Sequence, residues 1–419
     1  MLIDDSRFNM YLKNKKNNLL TVILLTMAAC LIYAISAGIR SNYGIMLGAI
    51  SENSGISYSA VSFVLAVGQL VFGVMQPVFG IVALKRSNLF VLGCGVALMA
   101  VGLLMLPFCR SIWMLLLFLG LVLPSGTGAL SFGIIMGAVT PKLTASSAST
   151  VSGFVNASSG IGNTVLSPVI QALIASGGLI GAMLFLSVPT LILLPVSLWL
   201  CKSKAGQTGA APLRKAESQP LRTLFSEALR NRTYWFLLVG FFTCGFHMAI
   251  IETHLYTQIT TYGLSQRMAA YAFSIYGIAA IIGSILSGVI CGRVQMRRVL
   301  GSLYGARCAI ILIFLLVPKN LVTVCIFTAL LGLTGSATVP PTSGLVSRTF
   351  GAAKLATLFG FVFFSHQIGS FFSAWLGGVS ITVTGDYTFI WYTSAALCIL
   401  ASVVSFRIKE TKVEISQVG

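Results

Sequence analysis

Residues 202–232 read KSKAGQTGAAPLRKAESQPLRTLFSEALRNR, and this basic stretch is the only sizeable polar segment between apolar runs in the 419-residue chain. Six apolar runs precede it and six follow it, each long enough for the helix of about 20 residues that crosses a bilayer. The chain is therefore predicted to be an all-α integral membrane protein with twelve transmembrane helices in two pseudo-symmetric six-helix halves. The predicted halves are 1–201 and 233–407, with a cytoplasmic linker at 202–232 and a cytoplasmic tail at 408–419. The predicted spans are 19–46, 57–83, 88–107, 111–138, 149–176, 179–201, 233–261, 268–291, 298–317, 320–346, 353–382 and 387–407.

The composition excludes most soluble functions. Hydrophobic residues make up 56% of the chain and charged residues only 9%, with a mean hydropathy of +0.93. Soluble proteins carry about 25% charged residues, so this chain lacks the polar side chains that would cover a soluble core. The sequence also contains no nucleophile–base pair, metal-ligand cluster or phosphate-binding loop, and its nine cysteines form no Cys-x-x-Cys pair. It is predicted not to be an enzyme and to hold no cofactor and no metal.

The net charge of +18 is distributed according to membrane topology. With the N-terminus placed inside, nearly all lysines and arginines fall on one side of the twelve spans. Cytoplasmic loops of membrane proteins carry such an excess of cations. The pattern predicts a multi-pass protein of the bacterial inner membrane with both termini in the cytoplasm. The charge is thus explained by the lipid bilayer and indicates no nucleic-acid partner.

The two halves contain a similar pattern of residues at the turn between their second and third spans. The spacing is identical in the two sets, which are Gly80, Lys85, Leu92 and Gly93, and Gly288, Arg293, Leu300 and Gly301. Together with the equal number of spans, this pattern favours an internal duplication.

Six ionisable residues lie inside the apolar runs: Arg40, His247, Glu252, His254, Arg307 and His366. A charged side chain at the bilayer centre costs roughly 2.5–3.5 kcal/mol on insertion scales. Such residues persist where they face a partner or a water-filled path. The set therefore predicts that the protein moves a polar cargo across the membrane.

Two sets of six spans joined by a basic loop resemble the major facilitator superfamily over essentially the whole chain. More narrowly, Gly38-Ile39-Arg40-Ser41-Asn42-Tyr43-Gly44 in the first span, with Gly245-Phe246-His247 and Thr253-His254-Leu255 in the seventh, resembles bacterial relatives of the monocarboxylate transporters. The resemblance implies a major facilitator fold and transport of small organic anions with a proton by alternating access. It also implies that Arg40 takes the position of a cation near the outer part of the cavity, and that the protein works as a monomer.

The chain departs from the family pattern at two places. The superfamily loop Gly-x-x-x-Asp-Arg-x-Gly-Arg-Arg becomes Gly80-Ile81-Val82-Ala83-Leu84-Lys85-Arg86 here, without the aspartate. The eighth span, 268–291, lacks the Asp and Arg pair of monocarboxylate transporters. Arg307 in the ninth span is a hypothetical replacement for that cation.

Arg40 is the leading candidate for binding a substrate carboxylate, because a guanidinium fork can engage two oxygens at once. Its polar neighbours Asn42 and Tyr43 are candidates for the same site. The alternative is that Arg40 reaches the outer headgroups or forms a structural ion pair.

The seventh span offers two possible faces to the cavity. His247, Ile251, His254 and Gln258 share one face of a regular helix, whereas Glu252 lies on another with mostly apolar neighbours. The favoured arrangement places the histidines along the cavity as substrate-binding candidates, with Glu252 against a neighbouring helix. The reverse arrangement remains open.

Three residues are proton-coupling or gating candidates. Glu252 is the obvious proton carrier, since a carboxyl group in low dielectric is readily neutralised. Arg307 is expected to form a structural or gating ion pair, with Glu252 as its partner, in preference to binding substrate. For His366, a hydrogen bond between helices is favoured over a role in coupling.

The sequence therefore predicts a secondary active transporter for a small, monocarboxylate-like organic anion, coupled to protons. Proton-driven efflux of a drug, siderophore or metabolite is the alternative within transport. A membrane sensor that binds a ligand without moving it is the alternative outside transport.

Overall fold

Helices account for all the regular structure in the computed structural model of the chain, which describes residues 5–143, 145–203 and 221–410. Ten helical segments in these ranges are long and apolar enough to cross a membrane. They are Leu19–Ser41, Tyr58–Lys85, Asn88–Phe108, Ile112–Lys142, Thr150–Lys202, Arg232–Thr261, Gln266–Cys291, Met296–Leu316, Leu321–Phe350 and Thr388–Phe406. The first of them belongs to the helix Asp5–Ser41 and continues beyond Asn42 as a second helix, Tyr43–Ser54.

Together with the helix Ala352–Thr384, these segments provide twelve spans. Thr150–Lys202 has 53 residues, about 80 Å of helix at 1.5 Å per residue, whereas a bilayer core is about 30 Å thick. It divides at Gly178, whose φ of 61° and ψ of −166° are not helical. The helix Ala352–Thr384 supplies the eleventh span with 33 residues, and its centre is made polar by Ser365, His366 and Gln367. The predicted fold class is therefore confirmed.

Short polar residues begin the spans where the sequence places them. Ser57, Ser87 and Ser265 accept hydrogen bonds from the main-chain N–H groups of Ala60, Phe90 and Met268. Asn320 and Thr323 cap each other reciprocally at the start of the tenth span. Such caps satisfy N–H groups that have no partner within the helix, which matters where a helix meets a membrane surface.

Three spans contain irregular turns. Leu116–Val122 in the fourth span and Ile251–Leu255 in the seventh are π-helical, and the tenth span passes through a 3₁₀ turn at Ser336–Thr338. That turn immediately precedes Pro340, which has no N–H for the helix ladder. The carbonyl of Ala337, released by Pro341, accepts a hydrogen bond of 2.6 Å from the Ser287 hydroxyl of the eighth span.

The bundle has two ends of different charge. We call the end that carries residues 202–232 the linker end and the opposite one the distal end. The cations at the linker end include Lys85, Arg86, Lys142, Lys202, Arg230, Arg232, Arg293, Arg297, Arg298, Arg348, Lys354, Arg407 and Lys409. Those described at the distal end are Arg110, Arg267 and Lys319.

The second part of the predicted linker forms a helix, Leu221–Arg230. Its buried residues Leu224 and Ala228 pack on the C-terminal half. Its Glu227 carboxylate forms an ion pair with Lys354 at 2.8 Å. Residues 204–220 and 411–419 lie outside the described ranges, so the division into halves, linker and tail remains a prediction.

The two halves touch at the distal side and separate toward the linker end. A Cβ atom at Gly73 would come within 2.6 Å of the Gln367 side chain, and one at Gly160 within 2.5 Å of Ile281. Gly80 and Gly153 lie two helical turns nearer the linker end on the same helix faces, and a Cβ at either would meet nothing within 4 Å. Helix faces in contact at mid-span therefore diverge toward the linker end.

Candidate functional site

An ion pair between Arg40 and Glu252 joins the two halves near their centre. Nη1 of Arg40 donates to Oε2 of Glu252 at 3.0 Å, and to Oε1 of Gln69 in the second span at 3.4 Å. The two charged side chains are only 21% and 10% exposed. The Arg40 guanidinium also stands 4.9 Å from the centroid of the Phe72 ring. The pair is thus held in low-dielectric surroundings at the contact between the halves.

Two glycines of the first-span motif explain how Arg40 reaches this position. A Cβ at Gly38 would lie 2.8 Å from the main chain of Gly162 in the fifth span, so these two backbones are in direct contact. A Cβ at Gly44 would lie 2.6 Å from the carbonyl oxygen of Glu252 itself. The first span therefore packs against the fifth and the seventh without intervening side chains, and Arg40 lies between Glu252 of the seventh span and Gln69 of the second.

Part of the Arg40 guanidinium remains uncommitted. Both of its hydrogen bonds start from Nη1. An arginine often binds a carboxylate through two parallel N–H groups, so the pair with Glu252 leaves donors of the guanidinium unused. Arg40 also lines a small cavity in the N-terminal half. The other residues on the wall of this cavity are Tyr33, Ser36, Ala37, Phe72, Thr127 and Ser131. This cavity has a volume of about 10 Å³, the room of about one water molecule, so an anion can reach the free edge of Arg40 only when the surrounding side chains move apart.

Asn42 and Tyr43 lie beside Arg40 in different surroundings. Asn42 is fully buried, donates to the Gly38 carbonyl at 2.7 Å and accepts from the Ser167 hydroxyl at 2.6 Å. Its side chain is thereby occupied in joining the first and fifth spans. Tyr43 is 5% exposed, and its hydroxyl has no hydrogen-bond partner among the described residues. Of the two, only Tyr43 retains a polar atom that is free for a ligand.

The histidines of the seventh span are buried and hydrogen-bonded to other spans of the C-terminal half. His247 is fully buried, with Nδ1 at 3.2 Å from the Ser394 hydroxyl of the twelfth span. His254 is also fully buried, and its Nε2 donates to the Ala374 carbonyl of the eleventh span at 2.8 Å. The structure therefore has the reverse of the favoured arrangement, since Glu252 is the residue that faces the other half.

The reason lies in the neighbours of Glu252. Tyr256, on the same side of the helix, donates a hydrogen bond to Gln171 of the fifth span. Met248 contacts its own half, where its Sδ accepts a 3.0 Å hydrogen bond from the Tyr276 hydroxyl of the eighth span. The side of the helix that carries Glu252 was interpreted as helix-facing or lipid-facing because its residues are mostly apolar, but Glu252 and Tyr256 on this side contact the N-terminal half.

A second polar group at the distal end, which we call the distal cluster, also joins the halves. It consists of Tyr58, His254, Thr257 and Tyr387. The Tyr58 hydroxyl of the second span lies 3.1 Å from His254 Nδ1, from the Thr257 hydroxyl and from the Tyr387 hydroxyl. Because Nε2 of His254 donates to a carbonyl, Nδ1 of the neutral ring is the acceptor. His254 therefore contributes to closing the distal end.

His366 is placed among aromatic rings. Its ring stacks on Phe363 with centroids 5.4 Å apart and lies 5.2 Å from the Phe241 ring of the seventh span. Nδ1 has no hydrogen-bond partner among the described residues. His366 thus contacts another helix, as favoured, but through ring packing.

Arg307 does not pair with Glu252, contrary to the expectation. It is fully buried in the C-terminal half, and its Nη2 donates to the carbonyls of Thr334 and Gly335. These carbonyls end the helix Leu321–Gly335 just before the 3₁₀ turn, where main-chain acceptors lack partners within the helix and the helix dipole is negative. Arg307 therefore caps the broken tenth span.

Sequence reasoning missed several polar residues that join the halves. The Thr164 and Ser274 hydroxyls each donate to the other's main-chain carbonyl, at 3.3 and 2.8 Å. Gln171 and Gln266 form a 3.0 Å side-chain bond nearer the distal end. Gln69 could have been identified from the sequence, because it is an amide inside an apolar run. Tyr58 lies at the start of its span, and no sequence pattern distinguished it.

The model of the Major Facilitator Superfamily matches residues 29–322 and 260–417 of the chain. The chain belongs to the major facilitator superfamily. It is 29% identical over 192 residues to the uncharacterized MFS-type transporter YcxA of Bacillus subtilis (strain 168), covering 44% of this chain and 45% of that protein. It is 25% identical over 289 residues to monocarboxylate transporter 12-B of Danio rerio, covering 61% of this chain and 60% of that protein. These two matches thus cover less than two thirds of either relative.

A longer match and two solved structures agree with this assignment. Probable transporter MCH2 of Saccharomyces cerevisiae is 24% identical over 340 residues, covering 79% of this chain and 70% of that protein. The fold resembles that of the E. coli fucose:proton symporter, with a TM-score of 0.64, 15% identity, and coverage of 93% of this chain and 100% of that one. It also resembles a bacterial homologue of the human lysosomal transporter Spinster in an inward-facing, occupied conformation, with a TM-score of 0.71, 14% identity, and coverage of 91% and 96%. The protein is a multi-pass membrane protein of this superfamily that resembles the monocarboxylate transporters.

Proposed function

We propose that this transporter carries a small monocarboxylate-like anion together with a proton, across the bacterial inner membrane and by alternating access. The observation that carries the proposal is the Arg40–Glu252 pair: a cation with a free edge on a cavity, held at 3.0 Å by a carboxylate from the other half. The similarity to monocarboxylate transporter 12-B supports the choice of an organic anion.

The free edge of Arg40 would bind the substrate carboxylate. Tyr43, with its unpartnered hydroxyl, and the Ser36 and Ser131 side chains around the cavity are available for the rest of a small anion. We assign Asn42 and His254 to packing and closure, because their side chains are already hydrogen-bonded inside the protein. We assign His247 to packing within the C-terminal half, where it is fully buried with Nδ1 on Ser394 and with Nε2 unpartnered among the described residues.

Glu252 would provide the coupling. While Glu252 is ionised, it neutralises Arg40 and repels an incoming carboxylate. A proton on Glu252 removes this repulsion, so proton and anion bind cooperatively, and by linkage each raises the affinity for the other by the same factor. The two would then cross the membrane together.

The orientation follows from charge. Because cations cluster at the linker end, the positive-inside rule supports placing that end in the cytoplasm. The halves separate toward this end, which supports a state open to the cytoplasm and closed on the other side. We propose that the protein works as a monomer, as its resemblance to the family implies.

Binding of candidate substrates to the purified protein tests the proposal. Small mono- and dicarboxylates, amino acids and bulky hydrophobic cations are compared for the shift that each produces in thermal unfolding. We expect a monocarboxylate to stabilise the wild type and the Arg267→Ala control, which removes an exposed arginine at the distal end. The same compound should not stabilise Arg40→Ala.

Two results would contradict the proposal. Stabilisation only by bulky or cationic compounds, equal in Arg40→Ala, would favour efflux of such compounds. Binding of a carboxylate without counterflow in vesicles would favour a sensor.

A further inference from the structure

A second cavity, which we call the lateral groove, lies on the outer surface of the C-terminal half. It has a volume of about 690 Å³, within the range of about 300–1,000 Å³ that is typical of small-molecule sites. Its walls come from the seventh, eleventh and twelfth spans, with Leu238, Phe364 and Leu400 as representatives. The linker helix closes one end with Phe225 and Leu229. The lateral groove is separate from the small cavity beside Arg40.

The wall of the lateral groove offers nothing to a polar ligand. Thr243 and Ser365 supply its two aliphatic hydroxyls. The Thr243 hydroxyl donates to the Val239 carbonyl at 3.1 Å, and the Ser365 hydroxyl to the Val362 carbonyl at 2.7 Å. The remaining wall is formed by aromatic and aliphatic side chains. Such a surface favours a hydrocarbon chain.

The depth of the lateral groove corresponds to one leaflet of a bilayer. On the seventh span it extends from Tyr234 to Thr243, which is about 14 Å of helix rise at 1.5 Å per residue. Half of a hydrocarbon core that is about 30 Å thick is about 15 Å. The groove starts at the linker end, where the span begins, and therefore spans the leaflet on that side.

Two exposed arginines stand at the mouth of the lateral groove. Arg230 ends the linker helix and Arg232 begins the seventh span, between the groove residues Leu229 and Trp235. The Trp235 indole N–H donates to the Leu229 carbonyl at 2.8 Å, which fixes this turn. Neither arginine has a hydrogen-bond or ion-pair partner among the described residues, whereas nearby Lys354 is neutralised by Glu227. The mouth is thus positively charged directly above an apolar groove.

We propose that the lateral groove holds one anionic phospholipid from the leaflet at the linker end, with an acyl chain in the groove and the phosphate on Arg230 and Arg232. The linker helix closes over the lipid, and the edge-on contact of its Phe225 with Phe361, at a centroid distance of 3.9 Å, ties it to the eleventh span. The site combines the two features of a phospholipid, a long apolar chain and a negative headgroup, in the order in which a membrane presents them.

Native mass spectrometry of delipidated protein tests this site with dioleoyl phosphatidylglycerol and dioleoyl phosphatidylcholine, which share their acyl chains. We expect one tightly retained phosphatidylglycerol and much weaker retention of phosphatidylcholine. The double variant Arg230→Gln/Arg232→Gln should bind phosphatidylglycerol about thirtyfold more weakly, the factor that corresponds to about 1 kcal/mol for each basic residue at a membrane surface. The matched control Lys85→Gln/Arg86→Gln removes the same charge from the N-terminal half and should retain the lipid.

A groove variant separates a lipid from a free anion. Leu400→Trp fills the lateral groove without changing its charge and should also lose the lipid, whereas Leu400→Ala, which leaves the groove open, should keep it. Equal retention of the two lipids, or equal loss in the control pair, would overturn the proposal in favour of non-specific association. Unchanged binding in Leu400→Trp together with displacement by inorganic phosphate would overturn it in favour of a simple anion site.

Discussion

Replacing Glu252 with glutamine is expected to uncouple proton movement from anion binding while it strengthens the binding itself. Glutamine keeps the size and the hydrogen-bond acceptor that Arg40 Nη1 contacts at 3.0 Å, but it carries no charge. It therefore imitates the protonated state that the proposal assigns to the loaded transporter. Arg40 remains charged and its free edge remains available.

The size of the effect follows from the repulsion that is removed. A substrate carboxylate on the far edge of Arg40 would stand about 6 Å from Glu252, and at an effective dielectric constant of about 20 this repulsion is about 3 kcal/mol. The fold-change is reduced by residual solvent, since the Arg40 side chain is 21% exposed. The dissociation constant of the anion should thus fall by between about tenfold and a hundredfold at neutral pH.

The assay is equilibrium binding of the monocarboxylate between pH 5 and 8, with counterflow and gradient-driven uptake measured on the same preparations. In the wild type, affinity should rise as the pH falls, because protonation of Glu252 favours the anion. In Glu252→Gln, affinity should be high and independent of pH, counterflow should persist, and accumulation driven by a proton gradient should be lost.

The control is Glu227→Gln, which breaks another carboxylate–cation pair, at 2.8 Å from Lys354, away from the site. It should behave as the wild type does in all three measurements. A Glu252→Gln protein with unchanged affinity for the anion and unchanged pH dependence would show that Glu252 does not couple proton binding to anion binding.

Three further substitutions test packing and closure. Gly162→Ala should lower the free energy of unfolding by about 1–3 kcal/mol, because its Cβ would collide with the main chain of Ala34; a thermal melt equal to that of Gly181→Ala, where nothing lies within 4 Å, would contradict this. Arg307→Met should lower thermal stability by about 1–3 kcal/mol by leaving the Thr334 and Gly335 carbonyls unpaired, with substrate affinity unchanged; a selective loss of affinity would instead place Arg307 in the binding site. Tyr58→Phe removes the hydroxyl shared by the distal cluster and should raise the population of distally open states about fivefold, for about 1 kcal/mol of hydrogen bonding. Spin labels at positions 52 and 319, which replace Glu52 and Lys319, would report longer distances between the halves in Tyr58→Phe than in the parent protein. An identical distance distribution would count against a role of the distal cluster in closing this end.

The twelve spans could be predicted because hydropathy is a local property. Each span needs about 20 apolar residues whatever its neighbours are, and the cations at the linker end follow the same rule in every loop. The helix Leu221–Arg230 inside the linker was missed because charge and polarity dominate the composition of the whole stretch. Its apolar positions Leu224, Phe225, Ala228 and Leu229 follow helical spacing and were the available signal.

The partner of Arg40 could not be predicted in the same way. Arg40 and Glu252 are 212 residues apart and meet only because the halves pack together. Arg307 was paired with Glu252 since that is the only acidic residue predicted within a span, yet main-chain carbonyls of a broken helix accept hydrogen bonds from its Nη2. The ionisable residues inside the spans can be recognised in the sequence as a set, whereas their pairing depends on tertiary packing.

Uptake by proteoliposomes with an imposed proton gradient, alkaline inside, tests proton-coupled anion transport most directly. We predict that the wild-type protein concentrates a small monocarboxylate inside the vesicles and that a protonophore abolishes the accumulation. Equilibration of the anion without accumulation, at a rate indifferent to the proton gradient, would contradict proton-coupled anion transport.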